Sequence, residues 1–153
     1  MDLVINRFYA PSKLHYDLLL DADPSIDNIN SYLCRSICFE SKIKEETVGI
    51  IILLPTRPHT AEIVNVAVLP KYQGQGIAQN MINSILKKAR SLNIKTITVG
   101  TGSTSFKQLY LYQKCGFRVS CIDTNFFLKH YDFEIIENGL VLKDMIRLSI
   151  DLF

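Results

Sequence analysis

The stretch that decides the fold is AVLPKYQGQGIAQN, residues 67–80. An apolar, β-branched run ends at Pro70, glycines follow at positions 74 and 76, and apolar residues then recur at helical spacing. Such glycines let backbone amides approach a ligand without an intervening Cβ atom, and the free amides of a helix N-terminus attract anions. The stretch therefore predicts a strand, a glycine loop and a helix, with either a phosphate site or a simple tight turn at the loop.

The residues around the two glycines exclude the two commonest nucleotide-binding loops. A dinucleotide-binding fingerprint requires Gly or Ala where Gln79 stands, and an acidic residue at the end of the next strand, where TITVGTG offers none. A P-loop requires Gly-Lys followed by Ser or Thr, which is absent. A phosphate bound here would therefore belong to another class of ligand.

The remaining sequence predicts a mixed α/β fold. Strands are expected at residues 3–8, 36–41, 47–55, 61–70, 95–100, 117–123 and 140–153, and helices at residues 12–20, 25–33, 77–92 and 105–114. The second and third strands are expected to form an antiparallel hairpin. Three consecutive strands without helices between them exclude a simple doubly wound parallel sheet. We therefore expect a mixed sheet of about seven strands with about four helices on both faces.

Composition predicts a soluble, cytoplasmic, globular protein. The 153 residues are 48% hydrophobic and 21% charged, which suits one domain with a real core. A net charge of +2 without a dense Lys/Arg cluster argues against nucleic acid as a partner. The apolar run Val48–Pro55 is too short to cross a membrane, and the N-terminus does not resemble a signal peptide. Cys34, Cys38, Cys115 and Cys121 lack zinc-site spacing, so reduced thiols and no metal are expected.

The three histidines, His15, His59 and His130, are too dispersed in the sequence to predict a metal site or a catalytic triad. Each is expected to lie on the surface or in a loop.

Two segments resemble one family. The loop QGQGIA, residues 73–78, matches the Gln/Arg-x-x-Gly-x-Gly/Ala signature of the GNAT superfamily of acetyl-CoA-dependent N-acetyltransferases. The segment SFKQLYLYQKCGF, residues 105–117, resembles the family's Asn-x-x-Ala-x-x-Leu-Tyr-x-Lys-x-Gly-Phe segment, with Ser105 and Gln108 replacing Asn and Ala. The chain is therefore identified as a member of this superfamily. The resemblance implies that residues 1–153 form a single N-acetyltransferase domain with a GNAT-type, mostly antiparallel mixed sheet.

The resemblance also implies acetyl-CoA as the co-substrate. The loop amides would bind its pyrophosphate, amides of the fourth strand would contact the acetyl carbonyl, and a gap between the fourth and fifth strands would hold the pantetheine arm. The residues expected to bind acetyl-CoA are Val66, Ala67, Val68, Gln73, Gly74, Gln75, Gly76, Ile77, Ala78, Ser105, Gln108 and Tyr112.

The chemistry of acetyl transfer requires a neutral amine. A lysine-like amine of pKa about 10.4 is neutral in roughly one molecule in 2,500 at pH 7, which corresponds to about 4.6 kcal/mol. A general base can offset this cost. Glu62, eleven residues before Gln73, resembles the catalytic glutamate of the histone-acetyltransferase branch, and is expected to be a base or a substrate contact unless it is an exposed carboxylate. Asn65 would line the amine pocket or occupy an edge or bulge position.

A tyrosine is expected to protonate the leaving thiolate. Tyr112 aligns with the family tyrosine that lies beside the CoA sulfur and is often assigned as the general acid. Ser105, Gln108 and Tyr112 share one face of the predicted helix, whereas Tyr110 lies on another face and is expected to be the core tyrosine.

These observations predict direct transfer of an acetyl group to a primary amine, with a small molecule favoured as the acceptor. No acidic cluster adjoins Glu62 in the sequence, so this preference is slight. Protein lysine or N-terminal acetylation is one alternative, and a non-catalytic CoA-binding or sensor domain is another. A homodimer in which the C-terminal strand DMIRLSIDLF pairs or exchanges between chains is a further alternative.

Overall fold

A computed structural model describes residues 2–153. The strands are β1 Leu3–Phe8, β2 Ile37–Ile43, β3 Glu46–Arg57, β4 Thr60–Val68, β5 Thr96–Gly102, β6 Arg118–Asp123, β7 Ile136–Glu137, β8 Leu140–Val141 and β9 Met145–Asp151. Seven of them form a mixed sheet in the order β1-β2-β3-β4-β5-β9-β6. In this sheet β4 and β5 are parallel, and every other neighbouring pair is antiparallel. The predicted mostly antiparallel mixed sheet is therefore confirmed.

Helices cover both faces of the sheet, as predicted. The helices are α1 Lys13–Ala22, α2 Ile26–Leu33, α3 Ile77–Lys88, α4 Phe106–Lys114 and α5 Phe126–His130, with a 3-10 turn at Pro70–Tyr72. Apolar residues of α1 and α2 pack on one face against Ile50 and Ile52 of β3, and the apolar side of α3 packs on the other face against Ile51 and Leu53. None of the helices within residues 2–153 is long and apolar enough to cross a membrane.

The segment between β6 and β9 contains structure that the sequence analysis missed. Helix α5 has five residues, too few to display a helical repeat of apolar positions. The single strand predicted from residue 140 onward is divided in two, because Leu140–Val141 pairs with Ile136–Glu137 in a separate hairpin. Asn138 and Gly139 form its turn with φ of 54° and 75°, as a two-residue hairpin turn requires.

Strand β4 contains a bulge at Val64. Asn65 lies opposite Ile52 of β3, but Ile63 lies opposite Leu53, so Val64 has no residue opposite it. An extra residue shifts the alternation of side chains between the two faces of a strand. Residues before and after the bulge that would normally point to opposite faces can therefore share one.

The bulge places two polar residues of β4 on the face covered by α1 and α2. Val64 and Ala67 pack in the apolar cluster of that face, and Asn65 donates a hydrogen bond to the carbonyl of Leu19 in α1. Glu62 is two residues before Val64 and points to the same side. Glu62 and Asn65, three residues apart in a strand, consequently face one cleft.

Strands β4 and β5 diverge along their length. They pair only from Thr60 opposite Thr96 to Ile63 opposite Val99, although β4 continues to Val68 and β5 to Gly102. The edge of β4 beyond Ile63 therefore has no strand beside it on that side, and the sheet opens there as a V.

Strand β9 lies inside the sheet. It pairs with β5 on one edge and with β6 on the other. Since both edges are occupied within the chain, β9 has no free edge to pair with a second copy. Pairing of β9 with a second copy would therefore have to replace one of these two contacts, as in an exchange of the strand between chains.

The expectation of a surface position was wrong for His15, which is 8% exposed. Its ring stacks on Phe8 at 3.9 Å between centroids, and its Nδ1 accepts a hydrogen bond from the backbone N–H of Ser12 at 2.9 Å. Nε2 therefore carries the hydrogen and donates to Glu40. The polar partners on both nitrogens explain the burial of the ring. The other two histidines are exposed, as predicted.

Candidate active site

A cleft of about 590 Å³ lies where β4 and β5 separate. Its walls come from the end of α1 and α2, from β4 and β5, from α4, and from the segment that carries α5 and the β7–β8 hairpin. The cleft therefore runs through the gap between the two strands, from the side of the sheet covered by α1 and α2 to helix α4. The predicted site residues that line the cleft are Glu62, Asn65, Val66, Ser105, Gln108 and Tyr112.

Tyr112 lies in the core end of the cleft. The side chain is 4% exposed and packs edge-on against Phe117, with ring centroids 6.1 Å apart. Burial raises the pKa of Tyr112 well above its ordinary value. The hydroxyl is therefore protonated at neutral pH and can donate a hydrogen bond or its proton to a group that becomes negatively charged beside it.

Tyr110 is not the core tyrosine, contrary to the prediction. It is 67% exposed, and the Lys114 ammonium lies 5.6 Å from the centre of its ring. The helical repeat separated the two tyrosines correctly but does not show which face of α4 is buried. The face of α4 that packs on the sheet also lines the cleft, so Tyr112 is both a core residue and a cleft residue.

Glu62 is a half-buried carboxylate in the cleft. Burial raises the pKa of Glu62, and the positive charge of Arg147 partly opposes this effect. Arg147 itself pairs with Asp123 at 3.2 Å and does not line the cleft. A carboxylate whose pKa moves toward neutrality is better matched to proton transfer near pH 7.

Asn65 presents an unpaired oxygen. The side chain is 5% exposed, and its Nδ2 donates to the Leu19 carbonyl at 3.1 Å and to the Tyr32 hydroxyl at 3.2 Å. The Leu19 carbonyl can only accept, so it fixes which end of the amide is the nitrogen. Oδ1 is buried without a partner among residues 2–153. Leaving such an acceptor unpaired costs about 1–3 kcal/mol, which a ligand N–H would offset.

The glycine loop joins the end of β4 to α3. Gly74 and Gly76 have φ of 79° and 80°, the left-handed region that favours glycine, and a Cβ atom at either position would face open space. Gln73 Nε2 donates to the Val68 carbonyl at 3.0 Å and so holds the loop against the strand. Within residues 2–153, the amides of residues 74–79 have no backbone acceptor, so they are free to donate to an anion.

The cleft is acidic, which sequence reasoning did not foresee. Asp21, Asp23 and Glu137 line it together with Glu62, and its lining residues in the described chain include no Lys, Arg or His. These carboxylates come from the end of α1 and from the β7–β8 hairpin, far from Glu62 in the sequence. They are not grouped as a metal site within residues 2–153. The Asn-Gly turn signal at residues 138–139 could have located the hairpin that carries Glu137.

The hairpin is tied to the start of α4. The hydroxyls of Ser105 and Thr104 both donate to Glu137 Oε1, and Asn138 Nδ2 donates to the Thr104 carbonyl at 2.8 Å. Ser105, predicted to contact acetyl-CoA, thus also positions an acid of the cleft.

Aromatic residues of α5 and the residue after it close the other side. Phe126, Phe127 and Tyr131 line the cleft. The Tyr131 hydroxyl donates to Asp23 Oδ1 and accepts from Asn28 Nδ2, both at 3.1 Å. Burial raises the pKa of Tyr131 to about 12, so this hydroxyl stays a donor to Asp23 at neutral pH.

Comparison with known proteins gives a consistent result. The sequence model of the acetyltransferase (GNAT) family matches residues 6–117. The chain is 49% identical over 137 residues to the uncharacterized N-acetyltransferase YvbK of Bacillus subtilis (strain 168), covering 90% of this chain and 88% of that protein.

Two solved structures share the whole fold. An acetyltransferase of Bacillus subtilis in complex with CoA has a TM-score of 0.95 and 45% identity, with 99% of this chain and 100% of that chain covered. A GNAT family acetyltransferase of Elizabethkingia anophelis with acetyl-CoA bound has a TM-score of 0.94 and 40% identity, with 99% of each chain covered.

Proposed function

The chain belongs to the GNAT family of acetyltransferases, and from this premise we propose that it transfers the acetyl group of acetyl-CoA directly to a primary amine of a small molecule. The observation that carries the proposal is the cleft between β4 and β5, where Glu62 and Tyr112 line one cavity. The volume of this cleft, about 590 Å³, falls within the range of small-molecule sites, and its acidic lining suits a small cationic amine.

The residues present fit acetyl-CoA. The free amides and open space at Gly74 and Gly76 suit its pyrophosphate. The unpaired edge of β4 beyond Ile63 can hydrogen-bond the pantetheine arm in the manner of an added strand. On this path the amides of Val66–Val68 would stabilise negative charge that develops on the acetyl carbonyl oxygen.

The proton transfers are assigned to two side chains. Glu62 accepts the proton that the ammonium form of the substrate must lose, and Asn65 Oδ1 accepts a hydrogen bond that orients the amine nitrogen. Tyr112 donates its proton to the thiolate sulfur as the carbon–nitrogen bond forms and the carbon–sulfur bond breaks. The proton that the nitrogen then releases restores the Tyr112 hydroxyl, and Glu62 gives its proton to solvent, so that the products are the acetylamide, free CoA thiol and one proton.

A thiol-release screen tests this function. Acetyl-CoA is mixed with the protein and a panel of small primary amines, lysine-containing peptides and peptides with free N-termini. We expect CoA thiol to appear with small amines. Release with peptides alone would instead favour protein acetylation. Binding of acetyl-CoA in calorimetry without release against any acceptor would favour a non-catalytic binding domain.

Replacing Glu62 by Gln is expected to lower kcat/KM at pH 7 by roughly 10²-fold.

The raised pKa of Glu62 has a second consequence. Only the carboxylate form accepts a proton, so activity of the wild-type enzyme should fall as pH decreases through this pKa. A plot of log kcat/KM against pH should change slope there, and the Glu62→Gln profile should lack that change. Titration of the amine itself occurs in both proteins and does not produce the difference.

Glu134→Gln is the matched control, because Glu134 is exposed and does not line the cleft. Its pH profile should match that of the wild-type enzyme. If the plot for Glu62→Gln showed the same change of slope as the wild-type plot, Glu62 could not be the base.

A further inference from the structure

The C-terminal end of α1 carries charges that oppose its own stability. The helix ends in Asp21-Ala22-Asp23, and its last turn contains no basic residue. The carbonyl end of a helix bears partial negative charge and is stabilised by cations, so carboxylates there are unfavourable. Residues that break a local stability rule in a cleft are often retained for binding.

Nothing among residues 2–153 neutralises these carboxylates. Neither Asp21 nor Asp23 has an ion-pair partner in this part of the chain. Asp23 Oδ1 accepts hydrogen bonds from two uncharged donors, the Ser25 amide and the Tyr131 hydroxyl, which hold the carboxylate in place while leaving its charge uncompensated.

The unpaired oxygen of Asn65 is a second, independent sign of a ligand beside these acids. The same amide group donates to the carbonyl of Leu19, two residues before Asp21. Two helical residues correspond to about 3 Å along the axis, so the carbonyl that holds Asn65 lies within one turn of the acidic end of α1. Asn65, Asp21 and Asp23 also line the same cleft, where one ligand can contact them.

Carboxylates close to a reacting nitrogen would hinder transfer. A negative charge stabilises the ammonium form of a nearby amine, and the ammonium form cannot attack a thioester. One carboxylate that removes the proton is useful, but further acids suit a nitrogen that stays charged. The end of α1 is thus better explained by a cation that does not react.

We propose that the acceptor is a short amine with a second cationic group, and that Asp21 and Asp23 bind this second cation while the reacting nitrogen lies at Asn65 and Glu62. Only the position of the reacting nitrogen rests on the proposed acetyl transfer, and the binding of the second cation does not depend on it. The cation satisfies the carboxylates at the helix end, and its hydrocarbon spacer lies beside the aromatic residues of α5.

The test compares diaminobutane with butylamine, which have the same chain length and differ by one ammonium group. Calorimetry is performed on the full chain saturated with CoA, so that no reaction follows binding. We expect diaminobutane to bind about 10- to 100-fold more tightly, as for hydrogen bonds to charged groups. The same preference is expected in kcat/KM for thiol release from acetyl-CoA.

Asp21→Asn should reduce the ratio of diaminobutane to butylamine affinity by about 10-fold. Asp17→Asn is the control, because Asp17 is on the same helix but is exposed, pairs with Lys13 and does not line the cleft. Asp21→Asn should also raise Tm by about 1–3 °C, because it removes a carboxylate from the helix end. The same Tm measurement shows whether the variant is folded. Asp23→Asn serves as a second variant, since Asn retains an acceptor for the Ser25 amide.

Equal binding of the two amines by the wild-type protein would overturn the inference, as would an undiminished ratio in both Asp21→Asn and Asp23→Asn. The two proposals fail in different ways. Tighter binding of diaminobutane without thiol release would support the cation site and contradict acetyl transfer. Thiol release at equal rates from both amines would support acetyl transfer and contradict the cation site.

Discussion

Tyr112→Phe is expected to lower kcat by roughly 10²–10³, at the low end of the usual contribution of a general acid. The leaving thiolate has a pKa near 8.5, judged from cysteine, so it departs partly unaided and the acid contributes less than it would to a poorer leaving group. The phenyl ring of Phe retains the contact with Phe117 and removes only the hydroxyl. Turnover in a thiol-release assay should therefore fall, while the affinity for acetyl-CoA measured by calorimetry should change little.

Tyr110→Phe provides the comparison on the same helix. Tyr110 is exposed and lies outside the cleft, so its variant should keep wild-type turnover. Equal turnover of Tyr112→Phe and Tyr110→Phe would remove Tyr112 from the mechanism. A loss of acetyl-CoA affinity in Tyr112→Phe as large as the loss of turnover would instead assign the hydroxyl to binding.

Helix α4 shows what a helical repeat can and cannot predict. The spacing of Ser105, Gln108 and Tyr112 predicts a common face, and the structure places all three on the cleft. The repeat does not say which face packs on the sheet, because that depends on the neighbours of the helix. The burial of Tyr110 was therefore predicted wrongly from the same pattern that grouped the cleft residues correctly.

Strand β4 shows a limit of a different kind. Simple alternation would place Glu62 and Asn65 on opposite faces of the strand, since they are three residues apart. The bulge at Val64 brings them to one face, and it exists only in the register of β4 against β3. The polar Asn65 within IVNVAV allowed a bulge as one interpretation, but it does not fix the register of β4 against β3, so the shared face became visible only in the folded chain.

The acidic lining depends on tertiary structure in the same way. Asp21 and Asp23 end a helix near the N-terminus, and Glu137 lies in a hairpin more than a hundred residues later. In the sequence no acidic cluster adjoins Glu62, so the charge of the cleft is not visible there. The element order was predictable because each element carries its own apolar repeat, whereas the electrostatic character of the cleft arises only when distant elements meet.

Gly76→Glu is expected to abolish measurable binding of acetyl-CoA, with a loss of at least roughly 10²-fold in affinity. Gly76 is the residue before α3, where a Cβ atom would face open space rather than protein. A Glu side chain would therefore enter the volume in which the pyrophosphate is expected to lie, and two like charges would meet at a site built for an anion. Calorimetry with acetyl-CoA measures the loss.

Backbone strain could weaken binding without any contact to phosphate, since any side chain at a φ of 80° is strained. Gly139→Glu separates the two causes. Gly139 has a φ of 75° and also faces open space, but it lies in the turn of the β7–β8 hairpin, away from the loop. If Gly139→Glu binds acetyl-CoA normally and Gly76→Glu does not, the added charge at the loop is responsible. Normal binding by Gly76→Glu would show that the pyrophosphate lies elsewhere, and the assignment of residues 73–78 to acetyl-CoA would fail.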